Sequence, residues 1–329
     1  MIIFENNCSV GICMLGIPKI GVEWDGRQMS YLVNAIGHVQ LNVVNVEQLV
    51  TESTGILGLH VTRQCDDTVW LSSNGRQAEL VLHRADENSV RSIGFEAVST
   101  EAVAEAASRV EEVDCRLISQ KPTLDCCEAG MVFATPQGHT IEVHSPIADE
   151  TYGRRHASTG VGPLHLDHVN ILSPEPTETR AQFERIMGLR LSERMVDDGL
   201  SWMRGANRLH HLLGIVRGAT GLHHYSFELG EFADYCRLGD RLDTIDKQFV
   251  WGPGRHRPGD NTYGYYIDAC GAMVECSGGM AMIHDDERYV PNVISALKRP
   301  ENVRVMNVWG TPAPAEWLAH TFPWAKPAA

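Results

Sequence analysis

The chain has 329 residues, 43% hydrophobic and 21% charged, with a formal net charge of −14 at pH 7. That is ordinary globular composition, long enough for two domains of roughly 100–200 residues each. An acidic chain repels phosphate backbones, and the nearest basic cluster, Arg255 to Arg257, is short, so nucleic acid is excluded as a partner.

The nine cysteines are odd in number, Cys126 and Cys127 are adjacent, and no CxxC pair occurs. That usage implies reduced thiols and a cytoplasmic setting. Met1 to Ile20 has no basic leading region, so a signal peptide is not expected. No stretch approaches the roughly 20 apolar residues of a membrane span, so no membrane partner is expected either.

In chain order, residues 1–28 read as an extension, because Met29 stands just before the first strand-like run. His38 to Val43 alternates apolar and polar, which is the pattern of a strand with one buried face. Val46 to Ser53 has helical apolar spacing, and Thr68 to Leu71 and Glu79 to Val81 alternate again. Ser92-Ile93-Gly94-Phe95 starts a second unit, followed by an amphipathic segment from Glu101 to Val113. Ser145 to Gly162, rich in Gly, Ser, Thr and charge, reads as a linker.

The pattern then recurs. His168 to Leu172 matches the run at His38, 130 positions later, and Gly188-Leu189-Arg190-Leu191 matches Gly58-Leu59-His60-Val61 at the same offset. Gly271 to Glu275 matches Gly138 to Glu142 at an offset of 133. Amphipathic segments occupy Glu178 to Met187, with Thr177 as the expected N-cap, and Phe232 to Ile245. His168 and His224 each open a strand. The chain therefore reads as an α+β protein of two homologous halves, residues 29–150 and 160–290, built from four strand–helix–strands modules. Residues 291–329 read as a tail, lying on the surface from Pro312 onward.

Chemistry concentrates in the second half. His168, His224 and Glu275 lie on strands that the repeat makes equivalent, so pairing of the modules would bring them to one sheet face. Two imidazoles and a carboxylate leave about three open positions on an octahedral metal, the facial triad suited to non-haem Fe(II). The first half supplies an internal control. His38 and Glu142 persist there, but Ser92 stands in place of His224, and a hydroxyl is a poor substitute for imidazole. That half is expected to be metal-free.

The segment from Trp251 through Gly254-Arg255-His256, Asn261, Tyr265 and Asp268 to Glu275 resembles the signature of the type I extradiol dioxygenases of the vicinal oxygen chelate superfamily. The likeness runs from about Gly37 to Pro312 and is strongest from Leu164 to Glu275. It implies four βαβββ modules paired into two vicinal-oxygen-chelate, glyoxalase/bleomycin-resistance-like domains. It implies Fe(II), or Mn(II) with the same ligands, at His168, His224 and Glu275, and O2 as co-substrate. It assigns catalytic roles to His211, the second histidine of Asn207-Arg208-Leu209-His210-His211, and to His256 and Tyr265. Spacing to Glu275 selects Tyr265 over its neighbour Tyr266.

Ala269 replaces the usual Pro, Gly264 a bulky residue, and Cys276 follows the ligand Glu; none of these touches a ligand. The implied substrate is an aromatic diol, bound beside Trp251, Phe227 and Asn261 and cleaved adjacent to the diol. Biphenyl-type diols, dihydroxylated aromatic acids and alkylated catechols all fit that description. A symmetric homo-oligomer is expected. The alternatives are a non-oxidative enzyme of the superfamily, glyoxalase-like isomerase or thiol transferase, and a metal-free small-molecule binding protein.

Overall fold

The structure is a computed structural model that describes residues 30–148, 160–295 and 305–326. The expected extension at 1–28 and residues 149–159 of the expected linker lie outside the described residues.

The first sheet contains β1 (Val33–Val43), β2 (His60–Cys65), β3 (Thr68–Ser72), β4 (Leu80–Arg84), β5 (Ser89–Ala97), β6 (Arg116–Ser119), β7 (Gly130–Ala134) and β8 (Thr140–His144). Helix α1 (Val46–Glu52) follows β1, and α2 (Thr100–Arg109) follows β5. The spatial order is β2-β3-β4-β1-β5-β8-β7-β6. Each set of four strands with its helix is one βαβββ module, and the two modules join through the antiparallel pair β1/β5.

The second sheet repeats this plan with β9 (Leu166–Ser173), α3 (Pro176–Met187), β10 (Arg190–Met195), β11 (Leu200–Arg204), β12 (Leu213–Arg217), β13 (Gly221–Glu228), α4 (Asp234–Asp243), β14 (Trp251–His256), β15 (Thr262–Ile267) and β16 (Met273–Gly278). Their order, β10-β11-β12-β9-β13-β16-β15-β14, is that of the first sheet. The fold is thus α+β, a duplicated pair of vicinal-oxygen-chelate modules. Strand register carries the duplication down to single residues. Ser92 pairs with Gln40, and His224 pairs with Asn170, which stands 130 positions after Gln40. Gly94 pairs with Glu142, and Ser226 with Glu275.

The helices form where the sequence supplies caps and a buried face. The Asn45 side chain accepts a hydrogen bond from the Gln48 amide, and Ser99 from that of Ala102, each satisfying an amide left free by a helix start. Helix α3 corrects an expectation: Thr177 lies inside it, not at its cap. Pro176 occupies the first turn, where its fixed φ and missing N–H cost nothing, so the helix begins earlier. It ends at Gly188, whose φ of +67° closes the last turn.

The largest apolar cluster runs through both halves. Phe183 of α3 is fully buried and meets Phe95 and Phe133 of the first sheet, with ring centroids 6.4 and 6.3 Å apart. Burying one such ring stabilises by roughly 1.5–3 kcal/mol.

The expected tail is a second correction. Among the described residues beyond 290, β17 (Asn292–Ile294), β18 (Asn307–Trp309) and β19 (Phe322–Pro323) join the second sheet, and helix α5 (Ala315–Ala319) precedes β19. Strand β17 pairs with β10, β18 with β14 and β19 with β13. The four prolines from Pro312 onward masked that role in the sequence, although short edge strands tolerate proline.

Candidate metal centre

Residues of one parity on neighbouring strands face one side of a sheet. His168 on β9, His224 on β13 and Glu275 on β16 share the hollow side of the second sheet, all with relative exposure of 2% or less. One Glu275 carboxylate oxygen, Oε2, lies 2.9 Å from His168 Nε2 and 3.1 Å from His224 Nε2. The three ligand atoms lie within 4.8 Å of one another. Ser226, small and central, stands between the strands that carry His168 and Glu275.

The remaining nitrogens have partners. His168 Nδ1 is 2.9 Å from Asp167 Oδ2, which also accepts a hydrogen bond from Ser277 at 2.6 Å. His224 Nδ1 is 2.7 Å from His223 Nδ1, and His223 Nε2 is 2.9 Å from the Trp317 carbonyl. If His223 donates to that carbonyl through Nε2, its Nδ1 accepts from His224, whose Nε2 lone pair then faces the carboxylate. Asn261 donates to the other Glu275 oxygen, Oε1, at 3.2 Å. Each ligand is thus oriented by an outer partner, the arrangement that fixes tautomer and direction at metal sites.

Electrostatics agree with that reading. Burial alone would raise Glu275, but the charges and hydrogen bonds of His168 and His224 hold it well below the usual carboxylate range. Burial lowers His224 and outweighs the pull of Glu275, leaving it neutral. For His168 burial is outweighed by Glu275 and Asp167, which together push it up to about 10. A buried oxygen flanked by two imidazole nitrogens suits a divalent cation of intermediate hardness such as iron or manganese. The residues therefore fit the group that the resemblance implies.

Beside the triad lies a cavity of about 130 Å³. His211, His256 and Tyr265 line it together with His168, His224 and Glu275. The His211 ring lies 4.6 Å from that of His168, centroid to centroid, and its Nδ1 is 3.1 Å from His210 Nδ1. His210 Nε2 in turn lies 3.4 Å from the Glu193 carboxylate. Burial and the neighbouring His168 and His210 pull His211 well below its ordinary value. His256 Nε2 meets the Tyr265 hydroxyl at 2.8 Å. Burial lowers His256 to about 4 and, with Glu275, raises Tyr265 well above 10. Tyr266, one residue on, belongs to the apolar core.

Three expected substrate contacts do not line the cavity. Phe227 is fully buried in the main core, because it stands an odd three residues from His224 and points the other way. Trp251 stacks behind Tyr265, with centroids 5.6 Å apart and planes within 13°, and donates to the Thr311 carbonyl. Asn261 donates to the Glu275 carboxylate instead.

The sequence reading missed Asp167, His210 and His223, each beside a residue it had singled out. A charged or imidazole group in a buried segment needs a partner, and that was the available signal. It also missed Trp202, Met306, Trp317 and Leu318, which line the cavity from distant segments.

The fold is of the vicinal oxygen chelate type. Residues 35–143 match the family model described as Glyoxalase/Bleomycin resistance protein/Dioxygenase superfamily. The chain is 26% identical over 266 residues to a metapyrocatechase of Pseudomonas sp. (strain CF600), covering 74% of this chain and 85% of that one. It is 25% identical over 290 residues to a manganese-dependent 2,3-dihydroxybiphenyl 1,2-dioxygenase of Geobacillus genomosp. 3, covering 79% and 89%. The Mn(II)-bound glyoxalase from Novosphingobium aromaticivorans superimposes with a TM-score of 0.79 at 26% identity, over 90% of this chain and 97% of its own.

Proposed function

We propose that this protein is an extradiol dioxygenase that opens a catechol ring beside its diol, using one divalent metal ion and O2. The observation that carries the reading is the shared cavity: His168, His224 and Glu275 form one wall, and His211, His256 and Tyr265 face the same space. Similarity to two ring-cleaving dioxygenases over most of their length supports it.

His168, His224 and Glu275 hold the metal, Fe(II) or Mn(II). Bound there, it supplies Lewis acidity toward the diol and redox chemistry toward dioxygen. His256 and Tyr265, already hydrogen-bonded to each other, orient the diol oxygens. His211, buried and facing the cavity, would carry the proton released by the diol and return it as charge develops on oxygen. Apolar walls exclude water, which strengthens these interactions. Both oxygen atoms enter the product, a muconate-type semialdehyde or keto acid.

The rest of the reading follows from this one. Residues 160–290 form the catalytic domain, with the pocket completed by the segment after 290. Residues 29–150 serve as a metal-free scaffold, since Ser92 stands where His224 stands in the second half. The enzyme works in the cytoplasm, in aromatic catabolism, as a homo-oligomer.

A second reading, a non-oxidative isomerase, draws on the likeness to the Novosphingobium glyoxalase. One experiment separates the two. The protein is loaded with Fe(II) without oxygen, then assayed for oxygen uptake across a catechol panel, with gentisate and methylglyoxal–glutathione as controls. Oxygen uptake with a catechol is expected. Bound iron with no uptake on any catechol would defeat the dioxygenase reading, and turnover of methylglyoxal–glutathione would favour the isomerase.

A further inference from the structure

The cavity is small and its outer walls are apolar. Its volume, about 130 Å³, is close to the roughly 150 Å³ of an apolar cavity that takes up benzene, so one six-membered ring fills most of it. Beyond the imidazoles, Asn170, Tyr265 and Glu275, the walls are apolar and come from Leu200, Trp202, Val216, Pro258, Met306, Trp317 and Leu318. Leu200 and Val216 lie on adjacent, directly paired strands, and both are partly exposed, as are Met306 and Leu318. These four form an aliphatic collar around the opening.

Among the described residues that line the cavity, none is Lys or Arg. The formal charge of the wall is Glu275, which is committed to the ligand cluster. Among the described residues, a ring substituent leaving the diol end therefore meets aliphatic and indole surface, with Asn170 as the uncharged polar exception. A carboxylate there would lose water without gaining a cationic partner, an uncompensated loss. A cavity of that volume, once filled by one ring, leaves no space inside it for a second aromatic ring.

Resting on the ring-cleavage reading above, we infer that the substrate is a single-ring, uncharged catechol whose substituent is small and apolar, selected by the Leu200–Val216–Met306–Leu318 collar. The charged dihydroxyphenyl acids and the two-ring diols are excluded, the first by charge and the second by size.

The test is anaerobic calorimetric titration of the Mn(II)-loaded full-length protein with 4-methylcatechol, 3,4-dihydroxyphenylacetate and 2,3-dihydroxybiphenyl, followed by oxygen uptake on each with the Fe(II)-loaded protein. 4-Methylcatechol is expected to bind at least tenfold more tightly than either of the others and to be consumed fastest. Equal or tighter binding of the acid or the biphenyl, with oxygen consumed, overturns this inference and leaves the dioxygenase reading standing. Absence of binding and of oxygen uptake for all three overturns the dioxygenase reading itself. Two variants locate the selectivity. Val216→Arg should improve the affinity for the acid relative to 4-methylcatechol at least tenfold, and Leu318→Ala should do the same for 2,3-dihydroxybiphenyl. Unchanged ratios in both variants would remove the collar from the account.

Discussion

His223 Nδ1 lies 2.7 Å from His224 Nδ1, while its Nε2 lies 2.9 Å from the backbone carbonyl of Trp317. A proposed metal ligand is thereby tied to helix α5, which also contributes Trp317 and Leu318 to the cavity wall. The relay orients His224 and couples its orientation to the docking of α5. Replacing His223 by Leu should lower metal affinity about 10–100-fold, the usual cost of removing an outer partner. Equilibrium dialysis with Mn(II) measures this, and an unchanged dissociation constant would mean the relay has no hold on the ligand.

His224→Ala should abolish stoichiometric metal binding, because it removes one of three donors and leaves Glu275 with a single imidazole. Ser92→Ala, at the equivalent register position of the first sheet, should leave metal content and turnover nearly as in the parent. Elemental analysis of both purified variants checks the pair. A large loss of metal in the Ser92 variant would give the first half an active role.

His211→Ala should retain metal and still bind a catechol under argon, yet turn over more slowly by about 10²–10⁴-fold, the range for a lost acid–base group. Its ring faces the cavity without being one of the three clustered ligands. Single-turnover rates with metal content measured on the same sample decide the matter. Loss of the metal would instead make His211 a ligand.

Stability should fall in mild acid. His139 is fully buried, with Nε2 2.8 Å from the Leu172 carbonyl, and burial lowers it to about 4. His144 is lowered to about 3 by burial and the nearby His38. An unfolded histidine titrates near about 6.5, so below that pH the unfolded chain binds more protons than the folded one. Their stabilisation is complete above that value and is lost as pH falls through the window down toward 4. Urea unfolding at several pH values should show this slope, and His139→Gln should reduce it by about one proton. An unaltered slope in the variant would exclude His139 as a contributor.

Phe227→Ala separates packing from binding. The ring lies in the main core and outside the cavity, so its removal should destabilise by about 3–5 kcal/mol. The KM for a catechol should change little in the fraction that folds. A rise in KM without loss of urea stability would return Phe227 to the binding site.

Much of the fold was legible because the chain repeats. Offsets near 130 between His38 and His168 and between Gly58 and Gly188 implied two halves, and both sheets have the same strand order. The proposed ligands stood out for the same reason, since each lies within a strand that the repeat marks out. Trp251, Phe227 and Asn261 were misplaced. Aromatic character says that a ring will be buried, but only the parity and curvature of the strand say on which side.

Local pattern by itself determined what depends on short range: strand alternation, helix caps at Asn45 and Ser99, and the presence of two imidazoles and a carboxylate at equivalent strand positions. Only the tertiary structure decided which distant segments close the cavity. Met306, Trp317 and Leu318 reach it because β18 and β19 pair with β14 and β13, and such pairing is a long-range contact with no periodic trace in the chain. The same holds for His223, whose role depends on a carbonyl 94 residues away.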